Sequence, residues 1–225
     1  MFDSTAGGSL VSADGEVARL EEKVSARHFT QDTSSARPTR KTAVRNGLDV
    51  LRFDGTADFM EHALASPYLS SLISSDNSTV FVAAKAAAIN TDDADVKANS
   101  AVLADGGNSH AWSAFRGATA YSTGAQNVGG RRTVSSSYTA GEWKVFTTRH
   151  EWGVIGLRLN GGSEATEELY TRGGMSPGFL KLGANYDATV CFEGDLGEVL
   201  IYNVALSAGN REAVESYLMT KWAIT

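Results

Sequence analysis

Apolar and polar residues alternate in short runs along most of this chain, and glycine, asparagine or aspartate separates the runs. Runs of period two at close intervals predict half-buried strands joined by tight turns. In Val50–Thr56, Leu51 and Phe53 alternate with Arg52, and Asp54-Gly55 closes the run in a turn. The run from Ser78 is apolar on both faces until Lys85, which predicts a central strand. Further on, Trp143, Val145 and Thr147 share one face, and Lys144, Phe146 and Thr148 share the other. Ile155, Leu157 and Leu159 follow on a strand that Asn160-Gly161 turns. Shorter strands are expected at 101–105, 110–116 and 178–184, and weaker ones at 118–122 and 131–135. Residues 1–50 are polar and turn-rich, and are expected to wrap over a sheet edge. The apolar spacing from Asp58 to Ile73 fits a helical turn or two, with Pro67 in a first turn.

The stretch from Ala188 to Trp222 carries the most information. Phe192, Gly194 and Leu196 share one strand face, and Glu193 and Asp195 share the other. Val199–Tyr202 is nearly all apolar, so the strand is expected to be buried on both faces there. A short amphipathic helix ending near Trp222 follows. Many strands, glycine-rich turns and no train of alternating strands and long helices predict an all-β sandwich, read as a single domain over 1–225.

Composition narrows the partners. The net charge of −6 argues against duplex nucleic acid or an anionic membrane. No run is long and apolar enough for membrane insertion. The lone Cys191 excludes an intrachain disulfide framework, and its place in an apolar strand predicts a buried thiol. The opening M-F-D-S-T-A-G-G has neither the basic nor the apolar region of a signal peptide.

The pieces S-A-R-H-F-T-Q, N-G-L-D-V-L-R-F-D-G-T-A-D-F-M, S-T-V-F-V, G-E-W-K-V-F, F-L-K-L-G-A and F-E-G-D-L-G-E-V-L-I-Y-N-V-A-L-S, with the closing helix, span almost the whole chain. In that order they resemble a concanavalin A-like lectin/glucanase domain of the laminin G-like type, as found in bacterial surface, secreted and phage proteins. The resemblance implies a jelly-roll sandwich of two antiparallel, curved sheets with a short C-terminal helix. It also implies an extracellular, cell-surface or virion location. Such domains bind glycans, bind proteins, act as spacers beside catalytic domains, or have no known ligand. The expected partner is therefore a glycan or protein ligand, or other subunits of an assembly.

Three groups of residues carry candidate chemistry. Glu193, Asp195 and Glu198 resemble the E-x-D-x-x-E of retaining β-glucanases on the same broad fold, where one carboxylate attacks the sugar and the other protonates the leaving oxygen. A bulge is needed to bring Glu198 to the face of Glu193 and Asp195; otherwise the motif is an ordinary core strand. Trp112, Phe115 and Tyr121 lie on half-exposed runs and are candidate stacking surfaces for sugar rings. Trp143 and Trp152 flank another run; Trp143 is expected in the core, and Trp222 is expected to anchor the helix. No cofactor is expected; Asp92, Asp93 and Asp95 form an acidic loop that could collect calcium, although it lacks the glycine and terminal glutamate of an EF-hand. His28, His62, His110 and His150 show no metal-ligand spacing. The motifs leave three functions open: a non-catalytic binding module, a glycoside hydrolase using Glu193 and Glu198 with Asp195, and a structural part of an assembly.

Overall fold

The computed structural model describes residues 1–24, 28–63, 77–87, 100–105, 111–116, 120–127, 130–151, 153–168, 179–185 and 187–225. Its strands, in chain order, are β1 (Arg19–Leu20), β2 (Phe29–Thr30), β3 (Thr39–Arg45), β4 (Leu48–Asp54), β5 (Met60–Ala63), β6 (Ser78–Ala86), β7 (Ser100–Asp105) and β8 (Ala111–Arg116). They continue as β9 (Ala120–Asn127), β10 (Gly130–Ser137), β11 (Lys144–Glu151), β12 (Val154–Leu159), β13 (Ala165–Glu168), β14 (Phe179–Leu182) and β15 (Glu193–Tyr202). One α-helix, α1 (Ala208–Lys221), closes the described chain.

Among the described residues the strands form two antiparallel sheets. One runs β1-β2-β5-β14-β7-β8-β9-β10, and the other runs β13-β12-β11-β6-β15-β4-β3. The core between them takes Leu51 and Phe53, Val80 and Val82, Phe146, Leu157, Phe192 and Leu196 from the second sheet. Met60, Leu180 and Leu182 meet them from the first. A second cluster lies on the outer face of the seven-stranded sheet, where Val50, Phe81, Ala83 and Val145 meet Leu218, Trp222 and Ile224 of the closing segment. Strand β6 is apolar on both faces because it feeds both clusters, as its unbroken apolar run predicts. Tyr138 ties the sheet ends: its hydroxyl donates to the Glu142 carbonyl at 2.7 Å and accepts from Ala86 N–H at 2.9 Å.

Two local expectations change. Met60–Ala63 is a strand, not a helical turn, because it pairs with β14 from Met60 opposite Leu182 to Ala63 opposite Phe179. Met60 is fully buried and Glu61 faces Lys181 across the pair, so tertiary pairing overrides the local spacing. Pro67 and the rest of that expected helix lie outside the described residues. Within residues 1–50, β3 does form a sheet edge, but it is a full strand in a hairpin with β4. Asn46 (φ 50°) and Gly47 (φ 72°) make the tight turn between them. The N-terminal segment then covers the start of β3, with Arg40 N–H donating to the Gly15 carbonyl at 3.0 Å.

Candidate functional site

The carboxylates of E-G-D-L-G-E sit where β15 lies between β4 and β6. Asp195 opposes Lys85 of β6 and Arg52 of β4, and Leu196 opposes Ala84. The register then slips, so that Glu198 opposes Ala83. Gly197 is the extra residue of this bulge. The slip carries Glu198 to the outer face of the sheet, which it shares with Glu193 and Asp195, while Val199 and Ile201 return to the core between the sheets. A Cβ at Gly197 would lie 2.8 Å from the Trp222 ring, so the glycine is what lets the indole lie on the strand.

Each carboxylate then meets a different environment. Asp195 is 1% exposed. Its Oδ1 accepts from Arg52 Nε at 2.6 Å, and its Oδ2 accepts from Arg52 Nη2 at 2.9 Å. Lys85 Nζ lies 2.9 Å from the same Oδ2. Burial pushes this carboxyl up, but the two cations outweigh it and hold it below the usual carboxylate range. Glu198 is clamped by the closing segment: Oε2 accepts from Trp222 Nε1 at 3.1 Å and pairs with Lys221 Nζ at 2.8 Å. Its Oε1 accepts from the Tyr217 hydroxyl at 3.4 Å. Trp222 in turn stacks on half-buried Trp143, with centroids 5.6 Å apart and planes 8° apart. Glu193 is exposed beside Gly55.

Glu193 and Glu198 are separated by four rungs of the β6 ladder, since Ala87 N–H donates to the Glu193 carbonyl and Glu198 opposes Ala83. At roughly 3.3 Å per rung their backbones stand about 13 Å apart. A retaining pair needs carboxyls about 5–5.5 Å apart, and an inverting pair about 6.5–9.5 Å. Asp195 and Glu198 are nearer along the strand, yet both are occupied by cations and an indole N–H. The arrangement holds the helix and neutralises charge beneath it; it offers no free acid beside a free nucleophile.

The other candidates are placed less completely. Trp112 and Phe115 lie on β8 and Tyr121 on β9, and the register sets Phe115 opposite Tyr121. Their side chains lie outside what the structure describes, as do Trp152, His110 and the acidic loop of Asp92, Asp93 and Asp95. Among the described residues no group of three or more His, Cys, Asp or Glu is placed to hold a metal ion. His28 and His62 are tied to local backbone: Glu22 N–H donates to His28 Nδ1 at 3.3 Å, and His62 Nδ1 lies 2.9 Å from the His28 carbonyl. Cys191 is buried, and burial followed by the charges of Asp54 and Asp58 pushes its thiol up to about 11.

Two features escape a reading of the motifs. Asp54 Oδ1 accepts from the N–H groups of Thr56, Ala57 and Asp58, and Asp58 Oδ2 accepts from Asp54 N–H at 3.0 Å. Burial, then the Asp54 charge, pushes the Asp58 carboxyl up to about 7. On the sheet-facing side of α1, Glu215 is a further buried carboxylate, with Thr147 Oγ1 donating to its Oε1 at 2.6 Å. Its signal in the sequence is spacing: Arg211, Glu215, Leu218 and Trp222 fall on one helical face.

A scan against protein-family models finds no match, and a comparison with curated proteins finds none. Solved structures do match in shape. The receptor binding domain of botulinum neurotoxin C/D mosaic serotype superposes with a TM-score of 0.62 at 15% identity, over 93% of this chain and 54% of that one. The binding domain of botulinum neurotoxin DC in complex with SialylT gives 0.62 at 8% identity, over 90% and 51%. The same binding domain in complex with rat synaptotagmin II gives 0.59 at 11% identity, over 90% and 51%. This chain thus spans about half the length of the solved chains it matches, and at these identities the likeness shows the β-sandwich fold.

Proposed function

We propose that this chain is a non-catalytic binding module, a concanavalin A-like sandwich of laminin G-like type that recognises a glycan or a protein surface. The observation that carries the reading is the state of the carboxylates. Asp195 is locked to Arg52 and Lys85, and Glu198 is locked under the last turn of α1, so the glucanase-like motif serves packing. The shape agrees with this: the superposed neighbours are binding domains, one in complex with SialylT and one in complex with rat synaptotagmin II. The acidic balance fits a partner other than nucleic acid. Trp112, Phe115 and Tyr121 remain the ligand-contacting residues proposed on the eight-stranded sheet. An extracellular, cell-surface or virion setting follows from the same reading, with this chain as one domain among others. Calcium at Asp92, Asp93 and Asp95 would be an accessory to binding.

The test pairs binding with hydrolysis. The chain is applied to an array of defined oligosaccharides, with and without EDTA, and incubated with β-glucan substrates. Saturable binding that Trp112→Ala weakens, with no release of reducing ends, is the expected result. Hydrolysis that disappears in both Glu193→Gln and Glu198→Gln would overturn the reading.

A further inference from the structure

We propose that Asn46 is a site of spontaneous deamidation, and that its conversion to aspartate or isoaspartate loosens the C-terminal end of α1. Asn-Gly occurs twice in the chain, at Asn46-Gly47 and Asn160-Gly161, and both pairs stand in tight turns at positive φ. Glycine has no Cβ, so its backbone nitrogen is the least hindered attacker of a preceding amide side chain. In the reaction the Gly47 nitrogen attacks Cγ of Asn46 and gives up its proton. A new C–N bond forms, the Cγ–Nδ2 bond breaks, and ammonia leaves with that proton. Water then opens the succinimide ring at either carbonyl, giving aspartate or isoaspartate. No co-reactant besides water is needed.

The two turns differ in how firmly they hold the amide. Asn46 and Gly47 are exposed, and a Cβ built on Gly47 would meet nothing within 4 Å. Among the described residues the Asn46 side chain makes one hydrogen bond, from Nδ2 to the Lys221 carbonyl at 2.9 Å. Asn160 is half-buried and held at both ends of its amide. Its Nδ2 donates to the Thr225 carbonyl at 2.9 Å, and its Oδ1 accepts from Val145 N–H at 2.8 Å. A Cβ built on Gly161 would lie 3.4 Å from Glu215 Oε2, so that turn is also the more crowded. Ring closure must turn the amide away from its partners, and Asn46 has fewer to leave.

The turn that carries Asn46 also caps α1. The last carbonyls of a helix find no partner within it. Here the Lys221 carbonyl accepts from Asn46, the Trp222 carbonyl accepts from Arg45 Nε at 2.8 Å, and the Ala223 carbonyl accepts from Arg45 Nη2. Deamidation puts a carboxylate in place of the donor at the Lys221 carbonyl, where the helix dipole already disfavours an anion. Lys221 Nζ is engaged by Glu198 at 2.8 Å, and Arg45 by the two carbonyls, so neither cation can neutralise the new charge without releasing another tie of the same segment. Isoaspartate also lengthens the main chain by a methylene carbon and so breaks the two-residue hairpin turn. The affected residues are those that clamp Glu198, and Trp222 is the ring seated on Gly197. A covalent change between β3 and β4 is thereby passed to the bulge of β15. The inference is independent of the glycan- or protein-binding role and stands if that role fails.

The full chain is aged in mildly alkaline buffer, folded in one arm and unfolded in urea in the other. Aspartate and isoaspartate at positions 46 and 160 are then measured by peptide mass spectrometry. In the folded chain Asn46 should convert about fivefold faster than Asn160, the ratio that one further hydrogen bond of ordinary strength gives. In urea the two should convert at similar rates. The consequence for α1 is read by amide hydrogen exchange over Leu218–Trp222 in the wild type, Asn46→Asp and Asn46→Gly. Glycine keeps the positive φ and removes the amide without adding charge. Exchange there should be about fivefold faster in Asn46→Asp than in the wild type, with Asn46→Gly between them. Equal conversion of the two asparagines in the folded chain, conversion of Asn46 confined to urea, or wild-type exchange in Asn46→Asp overturns the proposal.

Discussion

Replacing Gly197 with alanine puts a methyl group under the Trp222 indole. The new Cβ would lie 2.8 Å from two ring carbons and 2.9 Å from a third. Such distances are far inside contact, so either the ring or the bulge must move. The backbone at Gly197 is in a region open to alanine, since φ there is not positive, and the cost is therefore steric. Overpacking of this kind costs about 1–3 kcal/mol. Moving the ring also disturbs the hydrogen bond from Nε1 to Glu198, a charge-assisted bond of about 1.5–3 kcal/mol at full strength. The lost chain entropy of glycine in the unfolded state offsets about 0.4–1 kcal/mol. The net expectation is a loss of about 2–3 kcal/mol, or roughly 4–12 °C in Tm for a domain of this size. Urea titrations followed by circular dichroism and by tryptophan fluorescence measure it. The same substitution is then made in a Trp222→Phe background, whose smaller ring lacks the clashing atoms. There it should cost little, giving a coupling energy of at least about 1 kcal/mol. Equal destabilisation in both backgrounds, or wild-type stability for Gly197→Ala, refutes the account of the bulge as the seat of the indole.

Two further predictions concern charge. The Asp58 carboxyl is pushed up to about 7 in the folded chain, above an unfolded value of about 3.9, so its contribution is fully favourable below about pH 4 and is lost as the pH rises through 7. Asp58→Asn should therefore match the wild type near pH 4 and be more stable near pH 8, by about 1–2 kcal/mol after solvent screening is discounted; a constant difference across that range counts against the assignment. Asp195 is shifted the other way, below its unfolded value, so its stabilisation is present above about pH 4 and is lost as the pH falls through the folded value. Asp195→Asn should cost about 1–3 kcal/mol at neutral pH, less than a fully buried pair because Arg52 is partly exposed, and the deficit should shrink on acidification. Thermal unfolding across a pH series reads both.

Strands β6, β11, β12 and β15 were legible because each buries one or both faces and ends at turn residues. Their alternation is a direct imprint of the two clusters they feed. Strand β3 was not legible: T-R-K-T-A-V-R lies at a sheet edge, where burial does not impose a pattern. Strand β5 is four residues long and owes its state to β14, which no local rule reveals. At the carboxylates, residue types and order were visible, and so was the need for a bulge if Glu198 was to share the face of Glu193 and Asp195. The environment was not visible, because Arg52, Lys85 and Trp222 come from distant segments. Glu215 was hidden for the same reason, since the groups that meet it, Thr147 of β11 and Arg158 of β12, come from distant segments.

Strand β15 also sets an order of events for the making of the sheet. It lies between β4 and β6, and it is the last of the seven strands to be synthesised. Until it arrives, the sheet exists as two separate fragments, β3–β4 on one side and β13–β12–β11–β6 on the other. Each fragment then presents an open edge, β4 in one and β6 in the other, and the β6 edge is apolar on both faces. Such edges pair readily with other chains. Nascent or truncated chains that stop before Glu193 should thus be the aggregation-prone species, and cooperative folding should appear only once β15 has been released.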